Sequence, residues 1–252
     1  MNPKFVSFHT MTRGAGKPTY VVKCAQALAE KTKNVLVLDG VMYEQGAIPL
    51  LFHQLLGSYP RFGEGKNLYD LIQDYEILCS AQGGPPLDRD PKIVQQLSHP
   101  LTKFHRGRLY PDLLDRISPI PGLPFISFLP GNNGKVVEVR QRIDFEHLYQ
   151  NCDGERLFVY LKETLSPRYD LVLINAPAGH QEISGILCGQ VADLILAIDV
   201  DSPIMEADAS FMACSQLAKR VYAENGRQIL VRSVKGHAVS DVVDMILPNN
   251  PG

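Results

Sequence analysis

The sequence predicts an α/β protein, a three-layer sandwich in which a mostly parallel sheet carries helices on both faces. Three observations predict it. Short apolar runs recur at residues 4–9, 35–39, 124–129, 170–175, 194–199 and 228–233. They lack polar alternation, as strands buried on both faces require. Segments with apolar residues at helical spacing alternate with them, at 18–31, 144–151, 154–165, 204–223 and 237–247. Finally, the chain has 252 residues, of which 45% are hydrophobic, enough to bury one large core.

Charged residues make up 21% and the formal net charge is -2. That balance argues against a protein that coats nucleic acid by bulk charge, and the composition is neither fibrous nor broadly disordered. The N-terminal MNPKFVSFHT has no apolar core of a secretion signal. The most apolar segments, 171–174 and 194–198, fall well short of the ~20 residues that a membrane-spanning helix needs. Five cysteines, at 24, 79, 152, 188 and 214, form no C-x-x-C pair. They suit reduced residues of a cytosolic protein, so the expected location is cytoplasmic. The seven histidines show no H-x-x-x-H pair, so no metal site is expected from them.

Taken in order, residues 4–9 form the first strand, 10–17 a Gly-containing loop, 18–31 a helix and 35–39 a second strand. Residues 57–122 read differently, as a long insertion packed on one side of the sheet. They hold many of the prolines, the GEGK and QGGPP turns and the basic stretch 103–108, with one short helix from Asn67 to Tyr75. The strand–helix alternation resumes at 123. The whole of 1–252 is expected to be a single domain with that insertion.

The chemical signal is Gly14-Ala15-Gly16-Lys17 between a buried strand and a helix. A loop that wraps a polyphosphate needs residues without bulky side chains, so that backbone N–H groups converge on the oxygens. It also needs a lysine for the outer phosphates and a helix start whose dipole favours an anion. Pro18 suits the first helical turn, where its missing N–H matters least. The alternative is an ordinary strand-to-helix turn.

The order of strand, Gly-rich loop, A-x-x-L-A helix and VLVLD resembles the ParA/MinD group of P-loop ATPases with a deviant Walker A box. Residues 169–177 (YDLVLINAP) resemble that family's Walker B strand and its following proline, and 192–198 its next strand. The stretch 143–190 is similar to a ParA-like subgroup. The likeness covers 4–56 and 123–232, leaving the insertion outside. It implies a P-loop fold, ATP as the cofactor, a homodimer or a heterodimer with a related subunit, and recruitment of a partner protein in positioning, partitioning or signalling. Arg13, Gly14, Ala15, Gly16, Lys17, Pro18, Thr19 and Asn175 fall on the nucleotide-binding positions. Asp39 falls where the family polarises the attacking water. Arg232, ending the last expected strand with Ser233, lies near where relatives hold the base.

The departures fall on catalytic positions. The family's signature lysine is Thr12, its magnesium-binding hydroxyl is Pro18, and its Walker B aspartate is Asn175. Thr19 is one residue late for the magnesium role. Arg13 offers a substitute positive charge for a partner's phosphates, with a solvated arginine as the alternative. Hydrolysis depends on Mg²⁺ neutralising developing charge and on a positioned water, so weak or absent turnover is expected and Mg²⁺ binding is doubtful. Glu44 and Gln45 follow Asp39 in the stretch that relatives use as a nucleotide-sensing switch, or are plain loop polars.

Two functions compete on this reading: a nucleotide-binding switch with weak hydrolysis, and a catalytically dead pseudo-ATPase scaffold that pairs with an active relative or another protein. A related ATP-dependent ligase is a third. Asp199 and Asp201 lie past a strand end, where ligands bind in doubly wound sheets. The simpler account there is a helix capped by Ser202, begun by Pro203 and completed by Glu206. The 103–108 stretch and Lys219, Arg220, Arg227, Arg232 and Lys235 could contact DNA, but interspersed acids favour a solvated face. The tail 236–252 has no Lys or Arg and carries Asp241 and Asp244. It would be repelled by anionic lipid, so no membrane partner is expected.

Overall fold

The computed structural model describes residues 3–14, 16–32, 34–44, 46–57, 66–81, 102–106, 108–132, 137, 142–179, 181–199 and 208–247. Strands β1 (Phe5–His9), β2 (Val35–Asp39), β7 (Leu171–Asn175) and β8 (Leu194–Ile198) are five residues each and buried throughout. Successive residues of a strand face opposite ways, and both sides here meet apolar cover. On β8, Leu194, Leu196 and Ile198 join one core, whereas Ile195 and Ala197 join another.

Among the described residues seven strands form one sheet in the order β5-β6-β2-β7-β1-β8-β9. Its members include β6 (Leu123–Leu129) and β9 (Leu230–Val234). These six long strands run parallel, and only the short edge strand β5 (Ser118–Ile120) is antiparallel. This is the expected α/β sandwich.

Helices α1 (Lys17–Lys31), α2 (Ala47–Leu56) and α8 (Val239–Ile246) cover one face. Their apolar residues Val21, Leu28, Ile48, Phe52 and Val243 pack on Val6, Phe8, Val37 and Leu173. The other face is covered by α3 (Leu68–Ala81), α4 (Phe145–Cys152), α5 (Gly154–Leu165) and α6 (Glu182–Ile186). There Leu71, Leu148, Phe158 and Ile183 meet Phe5, Leu36, Leu38 and Ile174. A five-residue π turn (Leu187–Val191) continues α6, and α7 (Ala209–Asn225) packs against it and β8. No helix among the described residues is long and apolar enough to cross a membrane. The cysteines are free, and all but Cys79 are buried.

Several expectations need correction. The 57–122 segment is more than an addition to one side of the sheet. Its α3 buries Leu68, Leu71, Ile72 and Tyr75, and β5 extends the main sheet. Strands β3 (Thr102–His105) and β4 (Arg108–Pro111) form an antiparallel pair of their own. Asn67 does start α3, its side chain accepting the Asp70 N–H at 2.8 Å, but the helix runs six residues past Tyr75.

Helix α7 begins at Ala209, and the Asp199 carboxylate takes the N–H groups of Ser210 (2.8 Å) and Phe211 (3.3 Å). Asp199 therefore does the capping that the sequence assigned to Ser202. Asp201, Ser202, Pro203 and Glu206 lie outside the described residues, as do Ala15, Gln45 and the GEGK and QGGPP turns except Lys66.

Candidate functional site

The C-terminal ends of β1, β2 and β7 meet where the chain leaves the middle of the sheet, the usual ligand position in doubly wound folds. The pairing of β2 with β7 sets Asp39 beside Asn175, and the pairing of β1 with β7 sets Phe8 on the other side. The loop after β1 returns as α1. Gly14 and Gly16 have φ of 83° and 68°, a left-handed backbone that glycine adopts without strain.

Gly16 precedes α1 and supplies no side-chain cap. The first N–H groups of a helix have no partners within it, so this end carries a partial positive charge suited to an anion.

Lys17 is only 5% exposed. Its Nζ donates to the Ala176 carbonyl just past β7. Burial pushes the ammonium down to about 8, while Asp39 and Cys188 pull it back up. Asp39 is 2% exposed, and its Oδ1 accepts from Asn175 Nδ2 (2.8 Å) and the Val41 N–H (3.1 Å). Burial raises its carboxyl to about 6, opposed by those two hydrogen bonds and the Lys17 charge. Asn175 Oδ1 is buried without a hydrogen-bond partner. A buried acceptor left unpaired costs free energy, so it is an open position for a donor.

Lys17 and Asn175 line a cleft of about 550 Å³, and Asp39 is buried behind Asn175. One wall is the loop and α1 start: Thr12, Arg13, Gly14, Gly16, Lys17, Pro18 and Thr19. The opposite wall is formed by Val41, Tyr43, Glu44, Gly46, Leu50 and Gln54, where α2 also begins without a side-chain cap. Gly46 fits there because a Cβ would collide with Asp39 Oδ2. The structure thus brings Arg13, Gly14, Gly16, Lys17, Pro18, Thr19, Asp39 and Asn175 together.

Arg232 is placed elsewhere. It sits in the middle of edge strand β9, opposite Leu196, and donates to the Met245 carbonyl at 3.0 Å.

The sequence reading missed Ala176 as the acceptor for Lys17, Gly46 as the close neighbour of Asp39, and α2 as the second wall. The signal for α2 was present: Ile48, Leu51, Phe52 and Leu55 stand at helical spacing after a glycine.

The basic residues are mostly engaged. Lys103 pairs with Asp112 (3.3 Å), and His105 (2.8 Å) and Arg106 (2.5 Å) pair with Glu163. Arg227 turns inward to the carbonyls of Gly189, Gln190 and Ala192. Among the described residues no group of three His, Cys, Asp or Glu could hold a metal ion.

No protein-family model matches the sequence, and no curated protein matches it. Solved structures do. A McdA variant from Cyanothece in complex with ATP aligns at a TM-score of 0.60 with 14% identity, covering 98% of this chain and 80% of that one. Cobyrinic acid a,c-diamide synthase from Mycobacterium smegmatis, with an ATP analogue and magnesium, gives 0.56 with 13% identity and coverage of 98% and 83%. A plasmid partition protein from Borrelia burgdorferi gives 0.54 with 13% identity and coverage of 100% and 87%. At such identities the likeness concerns the fold, and it spans the whole sheet and its helices. By sheet order and by these neighbours, the chain has the fold of the ParA/MinD-type P-loop ATPases.

Proposed function

We propose that the protein is a ParA/MinD-like nucleotide-binding switch with weak or no ATP hydrolysis. It acts by nucleotide-linked dimerisation and by recruiting a partner in positioning, partitioning or signalling. One observation carries the binding half: a buried lysine at the uncapped start of α1, its ammonium hydrogen-bonded to a neutral carbonyl and lowered to about 8 by burial. A polyphosphate oxygen is a far better partner for that ammonium than a neutral carbonyl. The positive-φ glycines turn the loop, the start of α1 supplies its dipole, and Lys17 supplies the charge.

The residues fit a polyphosphate but not a conventional divalent cation. Pro18 has no hydroxyl, Asn175 is neutral, and the Asn175 Nδ2 faces Asp39. The Asp39 carboxylate spends Oδ1 on two donors and is a weak base only above about pH 6. No hydrolytic step is therefore derived through Mg²⁺.

The Asn175–Asp39 bond also favours a second reading, a pseudo-ATPase scaffold that needs no nucleotide and works through protein contacts. Thermal unfolding at millimolar ATP, with and without Mg²⁺, alongside a turnover assay, separates the two. The switch predicts ATP-linked stabilisation that is similar in both conditions, with little phosphate released. Absence of any stabilisation by ATP overturns it and leaves the scaffold.

A further inference from the structure

Arg13 and Glu44 form a two-pronged ion pair across the mouth of the cleft. Arg13 Nη2 donates to Glu44 Oε1 at 2.5 Å and Nη1 to Oε2 at 3.1 Å. Both residues line the cleft. Their anchoring differs. The Glu44 backbone is clamped, because Asn132 Nδ2 donates to the carbonyls of Met42 (2.6 Å) and Glu44 (3.0 Å). The Val41 N–H is tied to Asp39 Oδ1. Arg13 sits on the loop between β1 and α1 with its side chain 72% exposed, so the guanidinium is the partner that can move.

We propose that Glu44 stands in for phosphate: it holds Arg13 while the cleft lacks an anion, and a bound polyphosphate takes the guanidinium from it. This rests on the cleft being a polyphosphate site. Carboxylate and phosphate offer a guanidinium the same pair of oxygen acceptors, but a polyphosphate at the start of α1 carries more charge and gains the helix dipole. Glu44 and Arg13 also line a neighbouring recess of about 390 Å³, together with Arg142. The exchange breaks the ion pair that ties Glu44, on the segment between Asp39 and α2, to the phosphate loop. Glu44 thereby sets the affinity of the site and couples its occupancy to that segment.

The test is calorimetric titration of inorganic tripolyphosphate into the full chain and into Glu44→Gln, Arg13→Gln and the double variant. Exposed ion pairs are weak, so Glu44→Gln should tighten binding only about two- to fivefold. Arg13→Gln should weaken binding, and Glu44→Gln should have no effect in the Arg13→Gln background. Equal tightening in both backgrounds would mean that Glu44 acts only as a nearby negative charge, and the proposal fails. It fails also if Glu44→Gln changes nothing while the natural chain binds. If none of the four chains binds tripolyphosphate, the phosphate-site reading itself fails, and this proposal with it.

Discussion

Asn175 donates its side-chain N–H to the Asp39 carboxylate across 2.8 Å, and the β2–β7 register makes the two residues direct neighbours. The amide neutralises no charge, but it satisfies an acid that burial holds back from ionising. Asn175→Asp would put two carboxylates in the same dry space, where one must keep a proton. The expected cost is about 2–4 kcal/mol in metal-free buffer. Mg²⁺ should recover part of that loss in the variant and leave the natural chain unmoved, as read by scanning calorimetry with and without the ion.

Asp39 also imposes a pH dependence on stability. The folded protein holds its proton up to about 6, whereas the unfolded chain releases it near 3.8. Between those values the folded state binds the extra proton, so stability falls as pH rises through the window. The fall should amount to about 3 kcal/mol and be absent in Asp39→Asn. Urea unfolding of both proteins between about pH 4 and 7 reads the difference directly.

Lys17 behaves in the opposite sense. Its folded value near 8 lies below the ordinary lysine value of 10.5, so between the two the unfolded chain holds a proton that the folded chain lacks. Stability then rises with pH across that window. Replacing the lysine by methionine removes a buried charge, and Lys17→Met should be more stable at neutral pH by about 1–3 kcal/mol. A stabilised variant that has lost anion binding is the signature of a residue kept for function.

The strands that build the site were legible because their signal is local. VLVLD and LVLIN, buried on both faces, declare themselves without knowledge of their partners. The loop was legible for the same reason: Gly14, Gly16 and Lys17 act through backbone conformation and one charge. The Arg232 contact with Met245 was not legible, because the surroundings of a strand residue depend on register and on neighbouring elements, which periodicity does not encode. The start of α7 was missed because its cap, Asp199, lies eleven residues before Ser210. Helix α2 was hidden by Gly46 and Pro49, which read as loop, although Pro49 falls in its first turn.

The 57–122 segment shows the same limit. The helix over Leu68, Leu71, Ile72 and Tyr75, all buried, was legible from their spacing, but its extension to Ala81 and the joining of β5 to the main sheet were not. Asp74 on α3 pairs with Arg116 in the 3₁₀ turn before β5, with side chains only 5% and 8% exposed. Arg116→Met alone strands a buried carboxylate and should cost about 3–5 kcal/mol. The double variant Asp74→Leu with Arg116→Met should recover most of that loss. If Arg116→Met unfolds no earlier in urea than the natural chain, the segment is not integral to the core.

The central claim is that Lys17 and the start of α1 form a seat for polyphosphate. It is tested most directly by titrating ATP calorimetrically at about pH 7 and at about pH 9, in buffers of different ionisation enthalpy, into the natural chain and Lys17→Met. An anion on the ammonium raises its pKa, so the natural chain should bind more weakly at the higher pH and take up protons there. Lys17→Met should lose about 10- to 100-fold in affinity and show no such proton uptake. Equal ATP binding by both proteins, without proton uptake by either, would contradict it.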